Sequence, residues 1–509
     1  MNGRWGELVA TALLGTDRQG GDPVALLDEA AVRTVQHRAA LQPGTPRPLP
    51  PPAGDDPRPG LPPAARRRLA SLLAGGGPRH GGAPDLTELL PQWLAAANRH
   101  GYRAPEELLP ALLEVARARS DLRPEALVLG GPRALWLARL NPQWKYALRA
   151  HGAVPEGEEE RQRTWEEGLF AERVAVLTAL RRRDAAAGRE LLAAGWAKER
   201  AEDRLLFLDA LREGLGKDDE PFLEAALADR SRNVRAAAAE LLGALPGSAL
   251  TARMAERARS CVALDRTAGT GPRIVVEAPH ECDRAMERDG VVAKPPSGRG
   301  ERSWWLGQLV EAAPLAVWCE RLGVGGPQEA VALPVADGWQ PELHAAWARA
   351  AVRQQDARWA RALLGPPAAP PEPQGAVWLD PARLLSALPA GERAQWVARF
   401  VAANGLADSF RLLGACAVPW AEPLGAAVVD ALDAARDAGG YPWSFSGVMG
   451  MAERCLDPAQ ADRLAALELL PRQPEVGSAP GYWAEAFQRL LGTLRLRATM
   501  LAELAGRPG

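Results

Sequence analysis

Residues 223–242 read LEAALADRSRNVRAAAAELL, and this stretch predicts two helices joined by a short turn at Asp229. Apolar residues of the second helix recur at steps of three and four positions, which is typical of a helix with one buried face. These residues are Val234, Ala238, Leu241, Leu242 and Leu245. Ser231 or Asn233 is a candidate N-cap, because either side chain can accept a hydrogen bond from the first turn. The alanines of this helix allow neighbouring helices to approach closely.

A weaker copy of the same pattern lies roughly thirty residues upstream, a spacing within the range of helical repeats. In this copy the apolar residues of one helix precede those of the next: Leu191, Leu192 and Trp196, then Leu205, Leu208 and Leu211. Residues 223–242 resemble a HEAT repeat, in which a short helix, an Asp-containing turn and a helix opening with Val-Arg follow one another. We therefore predict an all-α fold, a HEAT-like α-solenoid of stacked helix pairs.

Helical periodicity stops between Thr267 and Arg302. Two short β-prone runs, 274–276 and 291–292, occur there and are bounded by glycine and proline. Such runs indicate strands joined by turns. We predict that this irregular loop carries a small β-hairpin formed by the two runs.

Proline and glycine clusters divide the chain of 509 residues into regions, because proline cannot continue a helix. The predicted regions are N-terminal helices over 1–41, a Pro/Gly-rich linker with one short helix over 42–84, a helical hairpin region over 85–150, HEAT-like repeats over 151–260, an irregular loop insertion over 261–302 and a C-terminal helical region over 303–509 with a proline-rich break near 366–373.

Two local patterns predict helix boundaries within these regions. Gly15 is expected to end a first helix, and Asp22 followed by Pro23 is expected to begin the second. The tetrapeptide Glu-Leu-Leu-Pro occurs at 88–91 and again at 107–110. Each of its prolines is predicted at the first helical position, where the missing N–H would have no partner in any case.

Composition narrows the class of protein. Hydrophobic residues make up 47% of the chain, enough for packed cores, and the net charge of −2 offers no global field for nucleic acid or a membrane surface. The five cysteines lie far apart without a CxxC pair, which favours a reducing compartment over a disulfide framework. No apolar run reaches the ~18 residues of a membrane span. The sequence therefore predicts a cytoplasmic protein.

The sequence lacks the common catalytic motifs. It contains no GxxxxGK[ST] phosphate loop, no GxSxG elbow and no HExxH zinc motif. Cys261, His280 and Cys282 are the best metal candidates, but their spacing matches no familiar zinc site. We favour a buried thiol and a surface histidine instead. The sequence therefore predicts no cofactor, no metal and no enzyme activity.

Arginine and tryptophan provide the candidate interaction surface. Two arginine-rich stretches, 181–183 and 230–235, could line a groove between stacked helices and contact phosphates. Solvated helix ends explain the same residues, since cations suit helix C-termini. Most of the 17 tryptophans are expected in the core and a few at an interface. The candidate surface residues are Arg181, Arg182, Arg232, Arg235, Trp304 and Trp305.

Several stretches resemble one family. ALLGTDR at 12–18, WLARLNPQW at 136–144, SWWL at 303–306 and the HEAT-like block are similar to an uncharacterised bacterial family, a domain of unknown function, of helical-repeat proteins. The resemblance covers most of the chain and supplies no catalytic residues. It implies genes encoded beside MoxR-type ATPases, von Willebrand-type proteins and SWIM zinc-finger proteins, and therefore an adaptor role.

The predicted function is a non-catalytic scaffold or adaptor for protein–protein interaction. The resemblance implies work with an AAA+ ATPase system, with a MoxR-type ATPase or a von Willebrand-type protein as partner and no membrane partner. One alternative is a nucleic-acid-binding HEAT-like protein with an Arg-lined groove. Another is an enzyme whose site is assembled from distant residues, with Asp17, Arg18 and the loop 267–302 as first candidates.

Overall fold

The computed structural model describes residues 3–19, 21–39, 51–74, 86–150, 158–267, 269, 271–369, 380–468 and 479–506. Across these ranges the chain is mostly helical, and a two-stranded sheet interrupts the helices. The prediction of an all-α helical-repeat fold is confirmed. The chain divides into two compact units, Met1–Gly54 and Asp55–Gly509. In the described ranges, no helix combines the length and the apolar character needed to cross a membrane.

The described part of the smaller unit is helical. Its helices are α1 (Gly3–Leu14), α2 (Thr16–Gln19) and α3 (Pro23–Ala39). Gly15 follows α1 with a φ of 84°, a conformation that glycine adopts without strain. The Asp22 carboxylate accepts a hydrogen bond from the Val24 N–H at 3.0 Å. Both predicted helix boundaries are therefore confirmed.

The larger unit begins with a helical core. Its helices are α4 (Pro63–Leu73), α5 (Leu86–Arg99), α6 (Leu109–Ala118), α7 (Arg123–Leu140) and α8 (Lys145–Ala150). Helix α7 packs against both α5 and α6, and Trp93 and Leu112 are buried between them. Pro110 lies in the first turn of α6, as predicted. The prediction for Pro91 is wrong, because α5 begins at Leu86 and Pro91 lies inside the helix. Since proline has no N–H, one backbone hydrogen bond of α5 is missing there.

Arg58 holds the segment before α4 on this core. Its guanidinium donates to the carbonyl oxygens of Tyr102 (3.3 Å) and Val128 (2.7 Å) and pairs with Asp56 at 2.7 Å. The hydrogen bond from Arg58 lowers the pKa of the Asp56 carboxyl. Residues 55–74 therefore pack with the core, whereas the sequence places them in a linker over 42–84. The rest of that linker, apart from 51–54, lies outside the described residues.

Stacked helices continue the unit from Glu158. They are α9 (Glu158–Glu167), α10 (Phe170–Arg183), α11 (Ala185–Gly195), α12 (Ala201–Ala210), α13 (Glu220–Ala226), α14 (Arg232–Ala244) and α15 (Ala249–Cys261). Helices α10, α12 and α14 pack side by side, while α11 lies beside α10 and α13 beside α14. Every residue of the predicted α14 stripe is buried, so the prediction of one buried face on this helix is confirmed.

The turn between α13 and α14 is fixed by Asp229 rather than by a cap side chain. Its carboxylate accepts from the Ser231 N–H at 2.8 Å and pairs with Arg204 at 3.1 Å. Ser231 occupies the N-cap position, but its hydroxyl makes no cap hydrogen bond. The carboxylate of Asp229 thus fixes the turn before α14, a role that the sequence analysis assigns to an N-cap side chain at Ser231 or Asn233.

A small antiparallel hairpin follows α15. Strands β1 (Val262–Asp265) and β2 (Arg273–Val276) pair with Val262 opposite Val276. The second predicted run, 291–292, is not its partner. The Val292 carbonyl instead accepts from the Trp304 Nε1–H at 2.7 Å, and its N–H donates to the Gln308 Oε1 at 2.8 Å. Side chains therefore satisfy the backbone groups that a strand would have paired.

The remaining helices complete the larger unit. They are α16 (Arg284–Arg288), α17 (Glu301–Ala312), α18 (Ala316–Leu322), α19 (Pro327–Ala332), α20 (Gln340–Gln354), α21 (Ala357–Leu364), α22 (Pro381–Ser386), α23 (Ala390–Asn404), α24 (Phe410–Gly414), α25 (Glu422–Asp437), α26 (Ser446–Cys455), α27 (Ala461–Glu468) and α28 (Ala479–Leu504). Contacts between neighbours continue in one row, in which α14 packs on α15, α15 on α17, α17 on α20 and α20 on α22.

The last helix joins the stacked helices to the first core. Helix α28 packs against α26 and α27, and also against α4 and α5. Met500 and Leu504 are buried among the side chains of the α4–α8 core. Arg68 pairs with Glu503 at 2.7 Å, and the Tyr102 hydroxyl donates to the Leu504 carbonyl at 2.9 Å. The end of the chain therefore completes a core that is otherwise built from its first third.

Tryptophans fill the centre of the stacked helices, as expected. Trp318, Trp347 and Trp359 form one buried cluster, with ring centroids of successive pairs 5.9 and 5.0 Å apart. His344 lies against this cluster, 5.7 Å from Trp347. Burial lowers the pKa of His344 to about 4.

The burial of His344 predicts a pH dependence of stability. Between about pH 6.5 and pH 4 the unfolded chain binds the imidazole proton and the folded chain does not, so the free energy of unfolding rises with pH there. Protonation of His344 in the unfolded chain should therefore lower the free energy of unfolding of the wild type by about 3 kcal/mol as the pH falls across this window. His344→Phe keeps a ring beside Trp347 and removes the titration. Urea unfolding at a series of pH values should show a shallower slope for this variant; equal slopes would contradict the assignment.

Candidate binding groove

One face of the row of helices is open and forms a groove. The groove encloses a cavity of about 750 Å³ lined by α14, α15, α17, α20, the start of α22 and residues 289–292. On α14 the lining residues Ala236, Ala239, Glu240 and Gly243 recur at steps of three and four. They lie on the face opposite the buried stripe, so α14 packs with one face and lines the groove with the other.

Small side chains make room for the cavity. They come from each of the three central helices: Ala236, Ala239 and Gly243 of α14, Ala312 of α17, and Ala345 and Ala348 of α20. Leu250, Met254 and Leu384 add larger apolar side chains. The groove can therefore take apolar side chains of a ligand.

Trp304 and Trp305 fix the wall of the groove formed by residues 291–293. The Trp304 Nε1–H donates to the Val292 carbonyl, and the Trp305 Nε1–H donates to the Ala293 carbonyl, each at 2.7 Å. Trp304 is half-buried and lines the cavity, and the Arg299 guanidinium lies over its ring, 5.6 Å from the centroid. Trp305 is buried in the core and does not form part of a surface.

Three arginines of α20 and α22 line the groove. Arg349 pairs with Glu311 at 2.5 Å, while Arg353 donates to the Glu311 main-chain carbonyl. The groove walls lower the pKa of Arg353 by desolvation, although the residue remains exposed to solvent. Arg383 is exposed, and its guanidinium has no ion pair or hydrogen bond with any residue that the structure describes.

The acidic residues of the groove are mostly engaged by arginines that do not line it. Glu240 pairs with Arg212 at 2.7 Å, and Asp380 pairs with Arg411 at 2.9 Å. Asp289 is buried and pairs with two arginines, Arg253 at 2.8 Å and Arg257 at 2.7 Å. The carboxylates of the groove are thus paired, and the charged lining residues without an ion pair to a described residue are Arg353 and Arg383.

A smaller cavity of about 210 Å³ shares Ala236 and residues 290–292 with the groove. Arg232, Arg235 and Lys294 line it. The Arg235 guanidinium donates to the main-chain carbonyls of Asp229 and Arg230 at 2.8 and 3.2 Å. Two predicted surface arginines, Arg232 and Arg235, are thus beside the groove.

Arg181 and Arg182 are elsewhere, and Arg181 corrects the prediction. Arg181 is 1% exposed and pairs with Asp219 at 2.7 Å, so it cannot form part of an interaction surface. It lies on the inward face of α10, where Asp219 compensates its charge. Arg182 is exposed and pairs with Glu213 at 2.9 Å, away from the groove lining.

The other sequence candidates do not form one site. Cys261 is buried, Cys282 is half-buried, and burial raises the pKa of both thiols. His280 is exposed and lies 3.2 Å from Glu277. Among the residues described, no group of three His, Cys, Asp or Glu side chains is placed to hold a metal ion. Asp17 is exposed in the smaller unit, and the Arg18 side chain lies outside the described residues.

Sequence reasoning missed Arg349, Arg353 and Arg383. The signal available was the spacing of four between the first two, next to Ala345 and Ala348 on the same helix. A family model described as "Family of unknown function (DUF5691)" matches residues 7–504. No curated protein and no solved structure matches the chain.

Proposed function

Because the chain belongs to the DUF5691 family, a family of unknown function, we propose a role from the groove itself. The protein acts as a non-catalytic scaffold, an α-solenoid that binds a segment of a partner protein in this groove. We place it in the bacterial cytoplasm, in keeping with its five free cysteines.

The observation that carries this proposal is the composition of the groove. Small alanines beside Trp304, Leu250 and Met254 give an apolar floor, and arginines and carboxylates lie at its edges. A cavity of about 750 Å³ is within the range of ~300–1,000 Å³ typical of specific ligand sites. Stacked helical repeats commonly use such extended surfaces to bind protein. The groove therefore suits a peptide with both apolar and charged side chains.

Nucleic acid fits the groove less well. A duplex or single strand presents a negative charge at every nucleotide, about 3.4 Å apart along a strand. Arg353 and Arg383 are the two lining arginines without an ion pair to a described residue, too few to pair with successive phosphates along the apolar floor. A protein segment can place one charge beside these arginines and apolar side chains elsewhere.

The first partners to test are those that the family resemblance suggests, an AAA+ ATPase of the MoxR type or a von Willebrand-type protein. The experiment places a photo-crosslinking amino acid at Ala236, which is exposed and lines the groove, in the tagged full-length protein. The matched control places it at Ala225, an exposed alanine of α13 that lines neither the groove nor the smaller cavity.

Crosslinks to one protein in fixed ratio from position 236, and none from 225, support the proposal. Ala236→Trp should abolish the interaction by filling the groove, whereas Ala225→Trp should preserve it. Recovery of nucleic acid that is released by salt would favour the nucleic-acid alternative. An interaction that survives Ala236→Trp would place the binding surface elsewhere.

A further inference from the structure

We propose that Arg353 and Arg383 bind a carboxylate side chain of the partner segment, so that the groove selects an acidic segment. This inference deepens the proposed function and rests on it. Beyond that function, it specifies the chemistry of the partner segment at one place in the groove.

Arg353 has free hydrogen-bonding capacity. A guanidinium carries five N–H donors, and the one hydrogen bond of Arg353 to a described residue goes to the Glu311 carbonyl. That acceptor is a neutral group, and no described carboxylate forms an ion pair with Arg353, although Glu311 and Glu240 are near enough to oppose the lowering of its pKa. Gly243 leaves space beside the guanidinium, since a Cβ at that position would lie 3.5 Å from Arg353 Nη1. An anion that approaches Arg353 can therefore be held by charge-assisted hydrogen bonds.

Desolvation strengthens this argument. The walls of the groove lower the pKa of Arg353, which means that its charged form is held at a cost there. Glu311 and Glu240 offset part of that cost, and a carboxylate of the ligand in hydrogen-bonding contact with the guanidinium would offset more of it.

Arg383 supplies a second cation on the same cavity. Asp380 is its nearest acidic neighbour in sequence, but the Asp380 carboxylate pairs with Arg411 at 2.9 Å and accepts from the Ala382 N–H at 3.1 Å. Within the described ranges, no carboxylate pairs with Arg383. Two guanidinium groups that form no ion pair with a described residue thus line one cavity, from α20 and from α22.

The floor of the groove decides between the anions that could bind. Trp304 and the alanines of α14 and α20 favour apolar side chains next to the anion. The two arginines without ion pairs can each meet one negative group, and the apolar lining offers no partner for a longer series of charges. An acidic residue between apolar residues satisfies both conditions, and a polyphosphate chain does not.

A peptide selection tests the inference. Phage displaying random 12-residue peptides are selected on the full-length protein, and the dissociation constants of enriched peptides are measured by fluorescence anisotropy. Asp or Glu should be enriched at one position beside apolar residues. Arg353→Gln and Arg383→Gln should each weaken binding at least tenfold, and raised salt should weaken wild-type binding.

Controls separate this inference from the proposed function. Arg399→Gln removes an exposed arginine of α23 that lines neither cavity and should leave binding unchanged. Peptides that are blocked by Ala236→Trp but lack acidic residues, and ignore both groove arginine variants, would overturn the acidic-segment inference and leave the scaffold proposal standing. Failure to select any peptide that Ala236→Trp blocks would overturn both. Displacement of acidic peptides by a single-stranded oligonucleotide at equal concentration would also overturn the inference, in favour of nucleic acid.

Discussion

Ending the chain after Leu491 is expected to unfold the α4–α8 core, although the shortened protein retains the sequence of all five of those helices. The truncation removes Met500 and Leu504, which are 4% and 0% exposed within that core. Loss of one buried leucine to alanine typically costs about 2–5 kcal/mol. Removing both side chains together with the helix that carries them should therefore exceed ~5 kcal/mol, the lower end of a typical total stability.

Polar contacts add to this loss. Arg497 of α28 donates to the Gln92 Oε1 at 3.0 Å and to the Leu456 carbonyl at 2.5 Å, so it ties α5 to the end of the stacked helices. Arg68 loses its partner Glu503, and the Tyr102 hydroxyl loses its acceptor on Leu504.

Hydrogen exchange read by mass spectrometry checks this expectation region by region. Peptides from α4 and α5 should lose protection, while peptides from α10–α14 should keep it, because their contacts lie within the stacked helices. A chain that ends at Gly506 is the matched control and keeps every contact named above. Unchanged protection of α4 and α5 in the shorter chain would show that α28 is dispensable for the first core.

Asp219→Ala should be the most destabilising exchange of a single charged residue in the stacked helices. Arg181 and Asp219 are both 1% exposed, and two hydrogen bonds of 2.7 and 2.9 Å join them. Removing the carboxylate leaves the guanidinium charge buried without a counterion. Breaking such a pair from one side typically costs about 3–5 kcal/mol.

The adjacent arginine provides the control. Arg182 is exposed and pairs with Glu213, so Glu213→Ala should change the midpoint of urea unfolding very little. Asp219→Ala should lower it clearly. Arg181→Met combined with Asp219→Leu removes both charges and should recover part of the loss, because the carbonyls of Leu211 and Gly214 then lack the donor that Arg181 supplies. Equal effects of Asp219→Ala and Glu213→Ala would show that burial does not set the contribution of the Arg181–Asp219 pair to stability.

Sequence reasoning succeeded where one helix contains the whole signal. The stripe of α14 follows from the spacing of Val234, Ala238 and Leu241, because a helix that repeats apolar residues at that period buries one face. Asp22 before Pro23 is likewise a local signal, since an N-cap acts within its own first turn.

Sequence reasoning failed where the environment is set by a distant element. Arg181 and Arg182 are adjacent in sequence, but a helix turns about 100° per residue and gives them opposite surroundings. Asp219 lies 38 residues from Arg181, and no residue close to Arg181 in the sequence indicates that the two side chains pair. Sequence reasoning missed the groove for the same reason. Residues of α14, α20 and α22 line it together, and their proximity depends on how the helices stack.

The position of α28 also sets an order of events while the protein is being made. Between Ala150 and Met500 the ribosome must add 500 − 150 = 350 residues, which takes about 20–70 s at ~5–20 residues per second. Through that interval the apolar faces of α4 and α5 lack their cover, while the repeats between them and α28 can form from neighbouring contacts as they emerge. The core translated first is therefore the last to be completed, and on the nascent chain it is the surface that a chaperone would find exposed.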